Sequence, residues 1–582
     1  MSGEVIEFLP GTRRLFDENG KTLPGDEHLL KHGDIVLVPQ PTESPDDPLN
    51  WSFWRKTWHS ALVLFVVGLT AATSNDAGSG SDGVNEEYDI SYDVFNTGAG
   101  VLFAAIGYWC LLSSPAVHLY GRRILYLVSM LFLTVGSIWY GRIQNTADTI
   151  WCQLFVGASE SVAEAVVQVS LLDIWFEHQN GTSLGMYTLA TAVGTYLGPL
   201  VANYMSDSFL GWRWIGYMGA IFGGGTFVIL YFGLEETAFH REGYLSDNGD
   251  PYPSAGPPAH EKTFQHASAG GTHDVENQAP HHATLPTSPG SDAKKKDLLA
   301  SASAADTKEE QQAPHPLPLS NAQPKTYWQR IQPITPAPNL KGTGAKQFAS
   351  RLWHTMRVFT FPAVWFAGLQ WGMQSVCLSF YLTVEEDNWY GPPWNYGDAQ
   401  VGNMNIPCII GSVIGCFYGG WCSDTFLIWM TKRNRGVMEA EYRLYFMILC
   451  LFVFPTGMWL FGIGSAHGWD WPVPYIGLAG IGFTFGTAGD LSITYLADSY
   501  PEMVLEGMVG VAVINNSLAL IFTFAASYWI DTSLENCFIE LGALSFVVIG
   551  LSLPMIIWGK QSRRWTRSRY TKFLEIRDGF SK

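Results

Sequence analysis

Apolar stretches of about 20 residues, the length that crosses ~30 Å of bilayer hydrocarbon, recur twelve times along the chain. They fall near 58–78, 97–118, 123–141, 149–172, 182–204, 213–234, 358–382, 400–423, 444–464, 472–497, 508–530 and 539–559. Trp and Tyr crowd their ends, as in "SIWYG" (137–141), "GWRWIGY" (211–217), "HGWDWPVPY" (467–475) and "SYWID" (527–531), where amphipathic rings anchor at the membrane–water interface. The pattern predicts an all-α membrane protein with twelve transmembrane helices (spans 1–12). A polar stretch at 239–356 parts span 6 from span 7. The chain therefore reads as an N-terminal segment at 1–56, six helices at 57–238, a linker, six helices at 357–560 and a basic tail at 561–582.

Bulk averages conceal this pattern. Mean hydropathy is +0.08 and net charge −18, because strongly apolar and strongly polar stretches are averaged together. The 239–356 stretch is rich in Pro, Ser, Ala and His, carries "KKK" at 294–296, and lacks aliphatic periodicity until its end. Such a segment buries too little surface to offset its ordering entropy, so a disordered linker is expected. In the N-terminal segment, "HGDIVLVPQP" fits one strand and "PDDPLNW" a turn leading into span 1. No apolar h-region precedes span 1, which is expected to act as its own signal.

Basic residues set the topology. With a cytoplasmic N-terminus, the six outward loops hold only Arg142 and Arg213, while the inward side holds "GRR" (121–123), "TKRNRG" (431–436) and "GKQSRRWTRSRYTK" (559–572). This is the positive-inside bias, and it places both termini in the cytoplasm. The sequons "NWS", "NGT" and "NNS" then fall on cytoplasmic or membrane positions, so no N-glycan is expected. The first outer loop, "GSGSDGVNEEYDISYD" (78–93), is acidic and suited to gathering cations. All eight cysteines (110, 152, 377, 408, 416, 422, 450 and 537) lie in or beside apolar segments without metal-ligand spacing. No H-E-x-x-H, P-loop or C-x-x-C is present. An enzyme or an ATP-driven pump is not expected, nor a metal, a cofactor or a nucleic-acid partner.

Particular segments narrow the class. "PGTRRLFDENG" (10–20), "DIVLVPQPTESPDDPLNWSFWRK" (34–56), "ESVAEAVVQVSLLDIWFEHQNG" (160–181), "RNRGVMEAEYRL" (433–444) and "ITYLADSY" (493–500) together resemble the major facilitator superfamily. They look most like its fungal drug:proton antiporter branch, which includes transporters of polyamines and other organic cations. The resemblance implies two six-helix bundles rocking about a central site, with spans 1, 4, 7 and 10 lining a cavity and spans 5 and 8 facing each other. On span 5, Gly185, Gly194, Gly198 and Pro199 reproduce the branch's G-x8-G-x3-G-P spacing, departing only at Ala202 and Asn203. On span 8, Gly411, Gly415 and Gly419 form a second small-residue stripe. Small residues let helices approach closely and Pro permits a bend, so a smooth seam between the two spans is expected. A cytoplasmic gate is expected from Gly121, Arg122, Arg123 and Asp424, although Ser114 and His118 replace the glycine and acid of the first copy. The branch's usual arginine four residues before the span 4 glycine is replaced by Gln153, ahead of Gly157.

Candidate chemistry lies inside the spans. Glu160 and Glu164 sit one turn apart on span 4, and a charge at bilayer centre costs at least about 2.5–3.5 kcal/mol. Two on one face require a watered cavity, partners or protonation. No Lys or Arg lies within the interior of a span to pair with them. Close carboxylates oppose joint ionisation, which suits exchange of a proton for a cation. Asp490 on span 10, Gln370 and Gln374 on span 7 with Trp371 (and Trp365) interleaved, and Asn515 and Asn516 on span 11 complete the expected lining. Carboxylates, amides and indole faces suit an organic cation. The expectation is a monomeric, proton-coupled transporter of an organic cation or drug-like molecule in the plasma or vacuolar membrane. Facilitated or proton-symport uptake of a neutral or zwitterionic nutrient, and a non-transporting sensor, are the alternatives.

Overall fold

The computed structural model describes residues 9–14, 31–32, 35–36, 41–42, 44–176, 179–239, 244–245, 317–318 and 325–580. Most of the expected linker, "KKK" included, lies outside them. The stretch His240–Ala322 is a unit apart from the rest of the chain; its described residues pair Tyr244–Leu245 with Leu317–Pro318 in parallel.

Twelve long helices follow the twelve apolar stretches: α1 Phe53–Asn75, α2 Tyr92–Tyr120, α3 Arg123–Tyr140, α4 Thr146–Ile174, α5 Asn180–Ser206, α6 Arg213–Gly233, α7 Pro362–Asn388, α8 Asp398–Arg433, α9 Met447–His467, α10 Val473–Ser499, α11 Val504–Thr532 and α12 Leu534–Gly550. Their ends are set by local chemistry. Asn145 caps α4 by accepting from the Asp148 N–H at 3.0 Å, and Pro362 opens α7 where a missing N–H does no harm. Gly468, at φ +63°, ends α9 in a left-handed turn. Eleven helical stretches are long and apolar enough to cross a membrane by length and composition. The remaining long helix, α7, is diluted by Gln370, Gln374 and the acids near its end.

The halves repeat one packing plan. In the first, α1 packs on α5, α2 on α4, and α3 on α4 and α6; in the second, α7 packs on α11, α8 on α10, and α9 on α10 and α12. The halves meet along two seams, α2 with α11 and α5 with α8. With an even number of crossings, α1 begins and α12 ends on one face, termed the terminus-bearing face below.

The glycine stripes do a different job from the one expected. A Cβ at Gly194 would press into the Gly68 carbonyl and one at Gly198 into that of Ala72, both on α1. At Gly411 and Gly415 it would press into the carbonyls of Ala479 and Phe483 on α10. These glycines therefore tighten each half internally instead of forming a seam with one another. Gly185 does reach across: a Cβ there would lie 3.6 Å from the Gly420 Cα of α8. Pro199 lies inside α5, which remains continuous. Gly→Ala on a permissive helix adds about 1 kcal/mol of stability. For Gly411→Ala the sign should reverse, with a loss of roughly 1–3 kcal/mol from overpacking, read as thermal unfolding of the purified protein.

One expectation about the polar segments changes. Residues 325–355, assigned to the linker, hold helices Tyr327–Arg330 and Ala345–Thr355. Thr335 and Ala337 donate backbone hydrogen bonds to the α2 carbonyls of Tyr120 and Leu119, both at 3.0 Å. Most of the basic tail continues in one further helix, α13, at Ser552–Gly579. The strand expected in "HGDIVLVPQP" is a two-residue pairing of Lys31–His32 with Ile35–Val36.

Candidate functional site

Glu160 and Glu164 lie at the middle of α4, both buried. They open on a small cavity of about 30 Å³ between the halves, walled by α1, α2, α5, α7, α10 and α11. That volume holds roughly two waters and no organic substrate. Glu164 lies against Trp371 and Asn515, both able to donate to it, and Glu160 lies against Ser74 of α1. The Asn515 carbonyl oxygen has no hydrogen-bond partner and is free to accept from a bound N–H. Asn516 also lines the cavity, its amide tied to the Ala512 carbonyl at 2.8 Å. Among the described residues that line the cavity none is basic. Its chemistry is that of two acids, an indole and small polar groups.

Three of the expected residues point elsewhere. Gln370 donates to the Val548 carbonyl of α12 at 2.7 Å, so it braces the second half internally. Gln374 is buried with neither amide atom partnered and is absent from the cavity wall. Asp490 misses the cavity for a reason of register. Asp173 near the end of α4 and Asp498 near the end of α10 each pair with an arginine, Arg122 or Arg443. Setting these acids opposite each other places Glu164 opposite Gly489, nine residues upstream in both helices. Asp490 is one residue further on, a turn of about 100°. A Cβ at Gly489 would run into the Trp371 ring. Trp371 thus fills the place that a second-half acid would take, and it reaches Glu164 from there. Trp365 is 47% exposed on the outside of the bundle. Sequence reading missed Ser74, Asn75, Thr191 and Thr195 in the wall; the i, i+4 spacing of the two threonines was the available signal.

Side-chain contacts join the halves on both faces. On the terminus-bearing face His118 of α2 meets Glu506 of α11 at 3.3 Å, and Thr182 of α5 meets Asp424 of α8 at 3.5 Å. On the other face Asn96 donates to Ser527 at 2.6 Å and Tyr204 to Asn403 at 3.0 Å. The expected gate residues divide between two tasks. Arg122 pairs with Asp173, while the backbone N–H groups of Arg122 and Arg123 bind the Glu236 carboxylate at 3.0 and 3.1 Å. The Arg123 guanidinium is held by the Tyr231 and Ile331 carbonyls. Gly121, at φ +90°, makes the turn that brings these groups to Glu236. This loop is therefore held by the first half and by Ile331 of the segment between the halves, and its arginines do not bridge the halves. Asp424 does face the other half, at the N-terminus of α5, where a helix dipole favours an acid. Arg443 holds Asp424 at 2.5 Å and Asp498 at 2.6 Å. Neither Arg443 nor Glu506 was legible as a gate residue, since their partners lie far off in sequence.

Two like six-helix halves with a polar cavity between them define a secondary-transporter fold. The chain belongs to the Major Facilitator Superfamily, which it matches over residues 60–524; it is a multi-pass membrane transporter. It is 45% identical to an uncharacterised MFS-type transporter of Schizosaccharomyces pombe over 98% of this chain and 96% of that one. It is 43% identical to Protein HOL1 of Saccharomyces cerevisiae, over 98% of each chain. MFS antiporter QDR3 of Candida albicans is 21% identical over 92% of this chain and 81% of its own length. In fold it is similar to the crystal structure of the human organic anion transporter MFSD10, with a TM-score of 0.50 and 12% identity, over 85% of this chain and 99% of that one.

Proposed function

We propose that the protein is a proton-coupled secondary transporter of an organic cation or drug-like amphiphile, working by alternating access in the manner of the drug:proton antiporter branch. The observation that carries this reading is the buried Glu160–Glu164 pair in a cavity wall that contains no basic residue. An uncompensated acid pair at mid-membrane calls for a cation or protons. Trp371 offers a π face beside it, and Asn515 an open acceptor. The small cavity fits a resting state in which protons or water stand in for the substrate.

The halves at 57–238 and 357–560 are the moving bodies in this reading. The terminus-bearing face is cytoplasmic, by the placement of the basic loops, and the protein works as a monomer in the plasma membrane. Proteoliposomes given labelled tetraethylammonium test the proposal. Accumulation should follow an imposed pH gradient and collapse when the gradient is dissipated by an ionophore. Gradient-independent uptake of neutral or zwitterionic nutrients, with the cation ignored, would overturn it.

A further inference from the structure

Asp490 lies outside the cavity, yet it is only 1% exposed. Thr494 donates to its Oδ1 at 3.1 Å, and its Oδ2 has no hydrogen-bond partner. That oxygen faces a wall of three glycines. A Cβ would come within 3.5 Å of it from Gly185 on α5, and within 3.2 and 3.4 Å from Gly419 and Gly420 on α8. Since α5 belongs to one half and α8 to the other, the carboxyl sits in the seam that must part for the terminus-bearing face to open. Just here α8 makes a π-helical turn, Tyr418–Cys422, a distortion often found at functional sites.

The groups facing Asp490 are few. Arg443, Asp424 and Asp498 lie toward the terminus-bearing face, and the Cys416 thiol lies on α8. Arg443 is already held by Asp424 and Asp498. From α5 comes Gly185, and from α7 the Trp371 ring beside Gly489; neither titrates. An ionised carboxylate lacking a donor to one oxygen is costly to bury, whereas its neutral acid is far less so. A Cβ on any of the three glycines would stand within 3.5 Å of Oδ2, and among the described residues no group of three or more His, Cys, Asp or Glu is placed to hold a metal ion. Along α10, Asp490 is nine residues from Ser499 and seventeen from Val473, or about 14 Å from the terminus-bearing end against about 26 Å from the other.

We infer that Asp490 is a proton site separate from the Glu160–Glu164 pair, filled when the α5–α8 seam closes over it and emptied to the terminus-bearing face when the seam parts. On closing, a hydronium ion gives its proton to Oδ2 and leaves as water. On opening, entering water accepts the proton and the carboxylate is solvated. The glycines at 185, 419 and 420 keep the closed seam tight enough to exclude that water. This rests on the proton-coupled part of the proposed function and not on the substrate's identity.

Hydrogen exchange of the full-length protein in nanodiscs reads the seam without any substrate. In the wild type, amides in 181–190 and 416–425 should exchange about tenfold faster near pH 8.5 than near pH 5.5, after correction for intrinsic rates. Asp490→Asn, which imitates the protonated state, should keep the slow rate at both pH values. Asp490→Glu, which still titrates, should restore the pH response, showing that the Asn variant is folded and held shut. A Glu160→Gln/Glu164→Gln double variant should respond as the wild type does. The inference is overturned if Asp490→Asn keeps the wild-type response, if the wild type has none, or if the double variant loses it. Failure of gradient-driven uptake with an intact seam response would count against the transport reading instead.

Discussion

Glu164→Gln is expected to lower affinity for an organic cation by about 30-fold or more, the scale set by losing one partner of a buried charge pair. The substitution keeps the size and hydrogen-bonding capacity of the side chain, so Trp371 and Asn515 keep a polar neighbour. What it removes is the negative charge, in a cavity whose wall has no basic residue and little water to screen it. Glu160→Gln should cost less, because Glu160 sits beside Ser74 of α1, away from the Trp371 indole. Binding should also weaken as pH falls, since protons compete with the cation for the same carboxylates. Equilibrium binding of labelled tetraethylammonium to purified wild type and both variants, across pH, measures all three effects. Wild-type affinity in Glu164→Gln would remove Glu164 from the site and with it the main support for a cationic substrate.

How much of this was legible in the sequence depended on the range of the signal. Spans were readable because crossing a bilayer demands about 20 apolar residues in a row, a local property that the chain cannot hide. The acid pair was readable for the converse reason, since Glu160 and Glu164 break an apolar run where breaking it is expensive. Direction was harder to read. Asp490 lies in the right helix, but a single residue of register turns it from the cavity to the α5–α8 seam. Gln370 has the right chemistry but spends it on the Val548 carbonyl.

Partner identity was the hardest of all. A stripe such as Gly411, Gly415 and Gly419 says that some backbone comes close. Only the fold says that it is α10. The same limit applies to the gate. The "GRR" loop announces itself by charge, while His118–Glu506 and Arg443–Asp424 join residues whose pairing no local spacing encodes. Where the first copy of the loop has His118, the second has Asp424. The first seam supplies its acid from the opposite side, at Glu506. A charge that looked missing from the sequence had moved across the interface.

Arg563→Leu should destabilise the protein by roughly 3–5 kcal/mol, the penalty for stripping a buried ion cluster of one partner. Arg563 is 1% exposed on α13 and donates to Glu441 at 2.6 and 2.9 Å, to Glu439 at 2.9 Å and to Thr12 at 3.0 Å, as well as to the Pro10 carbonyl. Thr12 donates in turn to Glu439 at 2.7 Å, and Thr12–Arg14 pairs antiparallel with Val437–Glu439. One guanidinium thus clasps the N-terminal segment, the loop after α8 and the C-terminal helix. Arg563→Lys keeps the charge but not the planar fork, and should fall between the two. The pH dependence follows from Glu439. Burial pushes its carboxyl up, but hydrogen bonds from Lys560, Thr12 and Arg563 outweigh that and hold it below the ordinary carboxylate range. A depressed value means stabilisation that is full above the ordinary carboxylate pKa and is lost as pH falls through the folded value. Wild-type stability should therefore decline on acidification. The Arg563→Leu deficit should shrink over the same range, since protonation relieves the acids it leaves unpaired. Thermal unfolding of both proteins from neutral to acid pH gives the comparison. A deficit that stays constant across the acid range would place the role of Arg563 in packing and not in charge.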